Sequence, residues 1–177
     1  MVPFTGAATG NYALIVATWA VSSSPPVGWS AIDYYLISSS YNMAIYGKTL
    51  TAADILAGSV TVGGLGSDAI VTALFYSGPT SAGAGSSVVS TSTNLTIPGF
   101  TKAPATTALV LYAARLDPTI ITAPGLSVVR APLYANSTWD AIASDILNPA
   151  TYVDGTNLIF PTNSTYVGCA GAIELKA

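Results

Sequence analysis

Eight carboxylates, one thiol and no imidazole define the side-chain chemistry open to this 177-residue chain. The acids are Asp33, Asp54, Asp68, Asp117, Asp140, Asp145, Asp154 and Glu174. A glycosidase needs only two of them, held ~5–10 Å apart. These eight are spread along the sequence and mostly adjoin turns or helix starts, where Asp commonly caps or turns the backbone. Without histidine, the usual nucleophile–base pairs and histidine metal sites are missing. Cys169 is the sole cysteine, so it has no intramolecular disulfide partner. It lies in the apolar run Tyr166 to Leu175, which suits a small buried side chain rather than a reactive thiolate. Asp154-Gly155-Thr156 permutes the Asp-Thr-Gly of aspartic proteases without matching it, and reads as a hairpin turn. Gly63-Gly64-Leu65-Gly66 lacks the following helix and lysine that would hold a phosphate. The expectation is a protein that is not an enzyme, with no catalytic residue, no metal site and no cofactor.

The elements that position these residues are dictated by an unusual composition. Charged residues make up 7% of the chain and hydrophobic ones 51%, against ~25% charged in a typical soluble domain. The mean hydropathy is +0.56. A spanning helix needs ~20 consecutive apolar residues. The best run, Tyr12 to Val21, is about half that and contains Thr18. A transmembrane barrel needs regularly spaced strands of ~10 residues with aromatic girdles, and regular turn spacing is lacking here. No membrane insertion is expected. The surface must then be Ser, Thr, Asn, Tyr and backbone. So few ions leave little pH-dependent self-repulsion and few carboxylates whose protonation could unfold the chain, which suits an acidic setting. The net charge is −3, and the five cations, Lys48, Lys102, Arg115, Arg130 and Lys176, are scattered. That argues against nucleic acid as a partner. No signal peptide is evident, since nothing positive precedes the apolar run at 12–21.

Two-residue periodicity dominates the sequence. Asp68 to Tyr76 and Thr106 to Ala113 read as strands apolar on both faces. Further strands are expected at Ala31–Ser38, Asn42–Gly47, Ser59–Val62, Ser87–Ile97, Thr119–Thr122, Leu126–Arg130, Asn157–Phe160 and Tyr166–Leu175, all rich in Val, Ile, Thr and Tyr. Gly and Pro punctuate them at Pro25-Pro26, Gly47-Lys48, Gly63-Gly64, Gly78-Pro79, Pro98-Gly99, Pro124-Gly125 and Asp154-Gly155. Short helices are expected at Thr51–Ala57 and from Ser137 or Thr138 through Leu147, the second stopped by Pro149. Ser81–Ser87 reads as a flexible loop. The fold class expected is all-β: a single β-sandwich or jelly-roll-like domain.

Three sequons, Asn94-Leu-Thr96, Asn136-Ser-Thr138 and Asn163-Ser-Thr165, lie near expected strand ends or loops. We expect Asn94, Asn136 and Asn163 to be glycosylated, which would help so uncharged a surface stay soluble. Tyr34, Tyr35, Tyr41, Tyr46 and Tyr76 could stack on sugars, but read more simply as strand residues half in the core.

The N-terminal segment is the most suggestive part of the sequence. Along Tyr12–Val21 one face presents Tyr12, Leu14, Val16 and Thr18, the other Ala13, Ile15, Ala17, Trp19 and Val21. A small-residue leader precedes it, and Ser22-Ser23-Ser24-Pro25-Pro26 follows as a stiff spacer. One reading is the first strand of the chain's own sheet. The other is a donor strand that completes a neighbour's sheet, supplying backbone hydrogen bonds and alternate side chains. Burying about five large apolar side chains would contribute a gross ~7–15 kcal/mol before ordering costs. A head-to-tail contact that does not close makes a filament.

With its 12–21 segment, its Pro25-Pro26 spacer, its three sequons, its lack of histidine and its Ser/Thr/Tyr-rich β pattern, the chain resembles the secreted, glycosylated β-sandwich subunits of archaeal surface filaments, particularly the thread type. That resemblance implies polymerisation by N-terminal donor-strand complementation. The long apolar N-terminal helix of type IV pilins is missing, as are the signs of TasA-like biofilm fibres. Lys48, Lys102 and Lys176 are available for Lys–Asn isopeptide links, but no partner is identifiable.

These readings lead to a structural, extracellular homopolymer used for adhesion or cell–cell contact. Residues 1–24 would be the donor strand and spacer, and 25–177 the β-sandwich. The interface would be Tyr12, Leu14, Ile15, Val16, Trp19 and Val21. Partners would be copies of the chain and cell-surface glycans. The competing readings are a viral capsid jelly-roll protein and a secreted carbohydrate-binding module that uses exposed Tyr, Trp29 or Trp139.

Overall fold

The computed structural model describes residues 1–18, 24–38, 41–66, 69–116, 121–133 and 140–177. The chain forms two compact units, Met1–Ala82 with Ala177, and Gly83–Lys176. The fold is all-β, built of antiparallel sheets.

The first unit opens with the short β1 (Val2–Pro3) and β2 (Tyr12–Thr18), followed by β3 (Ser30–Ser38), β4 (Tyr41–Thr49), α1 (Ala52–Ala57), β5 (Ser59–Val60) and β6 (Ile70–Tyr76). Four strands form a sheet in the order β3-β4-β2-β6, and β1 pairs with β5. Ala13, Ile15 and Ala17 from one face of β2 join Ala44, Tyr46, Leu50, Trp29, Val2, Phe4 and Val62 in a core, with Val71, Ala73 and Phe75 of β6 packed against it. The helix is short but well defined at both ends. Thr51 accepts from the Asp54 N–H at 3.3 Å and donates its own N–H to the Asp54 carboxylate at 2.8 Å, a reciprocal capping box. Gly58 closes it at φ +69°, a left-handed conformation suited to glycine.

The remaining strands are β7 (Ser81–Ser90), β8 (Asn94–Ile97), β9 (Thr106–Arg115), β10 (Val128–Leu133), β11 (Asp140–Ile146), β12 (Leu158–Pro161) and β13 (Gly168–Lys176), with a one-turn 3-10 helix at Pro149–Thr151. The large sheet of the second unit runs β10-β11-β9-β13-β7, and β8 pairs with β12. Leu95, Ile97, Leu158 and Phe160 of the small sheet pack with Leu109, Leu111, Ile142, Ile146, Ala170 and Ala172 of the large one. This is a sandwich-type arrangement, two sheets sharing an apolar interior.

Several expected elements fall elsewhere. The helix expected through Leu147 is the strand β11, paired with β9 from Asp140↔Arg115 to Ile146↔Leu109 and with β10 on its other edge. Ile142 and Ile146 are spaced for a helix face as well as a strand face, and pairing on both edges decides between them. The loop expected at Ser81–Ser87 belongs to β7. Its glycines serve close approach: a side chain at Gly83 would collide with Glu174, and one at Gly85 with the Ala172 carbonyl of β13. Ser87–Ile97, expected as one strand, is the end of β7 and all of β8, with a break between them. Gly47-Lys48, expected as a turn, lies inside β4. Of Thr119–Thr122 only the last two residues are described, and neither is in a strand. The chain divides into two compact units, and β1 and β2 pair within the first of them. Among the described residues, no helix is long and apolar enough to cross a membrane.

Candidate subunit interface

All seven residues of β2 are buried, and none is charged. Its alternation puts Tyr12, Leu14, Val16 and Thr18 on one face and Ala13, Ile15 and Ala17 on the other. On one edge β2 pairs with β4 from Tyr12↔Thr49 to Thr18↔Met43. On the other it pairs with β6 from Tyr12↔Tyr76 to Thr18↔Ile70. Both of its hydrogen-bonding edges are therefore used, and β4 and β6 meet only through it.

The sequence explains how a strand can sit so deep. Alanines stand opposite β2 on its core face, with Ala17 opposite Ala44 and Ile15 opposite Ala73. Tyr12 occupies space that Gly47 leaves open: a Cβ at position 47 would overlap the Tyr12 hydroxyl. Burial raises the Tyr12 phenol above its ordinary value, against a smaller opposing effect of a backbone hydrogen bond from Ala82. The Thr18 hydroxyl is the strand's other polar group and reaches the Ile70 carbonyl at 3.4 Å.

Of the interface residues expected from sequence, Tyr12, Leu14, Ile15 and Val16 lie together on β2. Trp19 and Val21 lie outside the described residues. The pattern did not single out a second set, Val2, Phe4 and Trp29. Phe4 packs its ring 6.3 Å from Trp29 and edge-on to Phe75 at 6.1 Å. Its N–H donates to the Gly58 carbonyl at 2.9 Å. The only available signal was the alternation of Val2 and Phe4 about the exposed Pro3.

The two described sequon asparagines, Asn94 and Asn163, are exposed. Asn94 opens β8 opposite Pro161 of β12. The Thr162 N–H and hydroxyl both donate to the Thr93 carbonyl, at 3.0 and 2.6 Å. Both asparagines therefore stand at the same end of the β8–β12 pair. Asn136 lies outside the described residues.

The tyrosines expected as strand residues divide. Tyr35, Tyr46 and Tyr76 are buried, Tyr41 is half-buried and Tyr34 is exposed. They form no open aromatic platform, and Trp29 is buried against Phe4.

Each described acid has a partner within its unit. Asp54 meets Lys48 at 2.6 Å, Asp154 meets Lys102 at 2.7 Å, and Asp145 meets Arg130 at 2.7 Å. Asp33 accepts from the Tyr35 hydroxyl. Asp140 accepts from the Ile121 N–H at 2.7 Å, and burial pushes its carboxyl above the usual range. Glu174 accepts from the Ala84 and Ala103 N–H groups and the Thr106 hydroxyl at 2.6–2.8 Å. Burial opposes its ionisation, but these donors outweigh burial and hold the carboxyl below the usual range. Among the described residues, no group of three or more acid or cysteine side chains is placed to hold a metal ion.

No known protein family matches this chain. Searches of characterised proteins and of solved structures also return no match.

Proposed function

We propose that this protein is a structural subunit that assembles with copies of itself into an extracellular surface filament for adhesion or cell–cell contact. In this reading the strand β2 of one copy fills the slot between β4 and β6 of the next. One observation carries the proposal: β4 and β6 are joined only through β2, a wholly buried and uncharged strand. A slot with two unsatisfied edges and an apolar floor needs a strand of this pattern, and a second copy's β2 makes the same contacts as the chain's own. Exchange preserves those contacts, so association itself, costing ~4–15 kcal/mol, has to be offset by further contacts between copies. The low charge and the exposed Asn94 and Asn163 suit a glycosylated extracellular surface.

The test is negative-stain electron microscopy of the full chain beside a version lacking residues 1–22. Filaments from the full chain and none from the truncation are expected. Monomers from the full chain would overturn the proposal, and closed shells would replace it with a capsid role.

A further inference from the structure

We infer that the exchanged element is larger than the strand β2: it is the whole of Met1–Thr18, with β1 and Phe4 travelling as an aromatic plug that seats in the next copy. The inference rests on the strand-exchange reading above. Its basis is that Val2–Thr18 docks along one continuous line. Val2 and Pro3 pair with Val60 and Ser59 of β5. Phe4 then donates its N–H to Gly58 at the end of α1, with its ring between Trp29 and Phe75. A compact turn follows, with the Ala7 N–H on the Phe4 carbonyl at 3.1 Å and the Ala8 N–H on the Asn11 side chain at 2.8 Å. Gly6 and Gly10, at φ +79° and +88°, take the left-handed conformations this turn requires. Gly10 and Asn11 bond reciprocally with Leu50 at 2.8 and 2.9 Å, and β2 begins at the next residue.

Chain length argues against separating the two parts. Nine residue steps join Pro3 to Tyr12, with a fully extended reach of about 30 Å. In the fold those steps form the turn. Keeping β1 and Phe4 at home while β2 entered another copy would break the turn between them and the Leu50 bonds. The covalent link from β2 back to its own body is residues 19–29, with an extended reach of about 36–40 Å. Moving Met1–Thr18 as one piece uses only that link. The seat for the plug, formed by Trp29, Gly58, Val60 and Phe75, stays with the receiving body.

Two cysteine pairs in the full-length chain, each with Cys169→Ala, test this. Ala17→Cys with Ala44→Cys reads the position of β2. Val2→Cys with Val60→Cys reads the position of β1. Both are register partners, within reach of a disulfide. After assembly and oxidation, non-reducing gels of both variants are expected to give ladders of linked copies. A ladder from 17–44 with a monomer-only link at 2–60, or with no link at 2–60, overturns the plug and leaves strand exchange standing. A monomer-only link at 17–44 overturns strand exchange itself. As a control, mixing copies that carry Val2→Cys alone with copies that carry Val60→Cys alone should give a linked dimer band. Its absence from mixed filaments would also overturn the plug.

Discussion

The two units hold their central strands by different means. In the first, β2 is fixed by backbone pairing on both edges and by apolar packing, and its few polar contacts are those of Tyr12 and Thr18. In the second, β9 ends in Arg115, which is fully buried and donates to the Ser92 and Ser164 carbonyls. The neighbours of β9 carry Asp145 on β11 and Glu174 on β13, both buried and both bonded to named partners. Separating a buried ion from its partners costs several kcal/mol beyond the lost packing. Withdrawing an uncharged strand leaves no ion stranded. Charge is thus managed at the centre of the second unit and kept out of the centre of the first.

The largest expected effect comes from giving β2 the kind of group that the second unit manages and the first does not. Leu14→Asp places an unpaired charge at a fully buried position, at a cost of about 4–5 kcal/mol. Calorimetry should then show the first unit melting early and the second near its original temperature. A single unshifted transition would contradict the contrast drawn here.

Next in size is Glu174→Ala in the second unit. It strands two N–H groups and a hydroxyl and should cost about 3 kcal/mol. The same residue has a pH signature. Its folded value lies below the ordinary 4.5, so its stabilisation is complete above that pH and is lost as pH falls through the lowered folded value. Asp140 runs the other way, because its raised value opposes folding near neutrality and this opposition fades in acid. Glu174→Gln should therefore flatten the acid limb of the stability curve, measured by urea titration between pH 2 and 7. An unchanged limb would exclude Glu174 as its source.

The smallest effect is expected at the helix cap. Thr51→Ala removes one half of the capping box, worth about 1 kcal/mol. Because α1 buries no residue, the loss should appear as a shift of a few degrees in the first unit's transition. A larger fall would mean that α1 does more in holding that unit than its exposure implies.

Much of this fold is legible in the sequence. Runs such as Thr106–Ala113, apolar on both faces and bounded by turn signals, read as strands because of their shortness and their Thr, Val and Tyr content. The short helix at Thr51–Ala57 was also readable, but its Thr51 cap and left-handed Gly58 became evident only in the structure. What was not legible depends on neighbours distant in sequence. Ser81–Ser87 has the composition of a linker, and only β13 beside it reveals that its glycines permit close approach. Asp140 reads as an acid near the start of a helix until Ile121 is seen to donate to it. At the candidate interface the pattern of β2 was plain, but its slot was not, because β4 and β6 lie more than twenty residues further on. Phe4 was missed for the same reason: a lone aromatic among small residues has meaning only once Trp29 and Phe75 surround it.

The fit of Tyr12 over Gly47 acts as an index mark. Sliding β2 by one residue would turn its large side chains to the face now taken by alanines. Sliding it by two would restore the faces but move the phenol ring off the gap that Gly47 leaves. In a row of copies joined by such strands, each joint would lock at one phase. Spacing errors would then be rejected joint by joint instead of accumulating along the row.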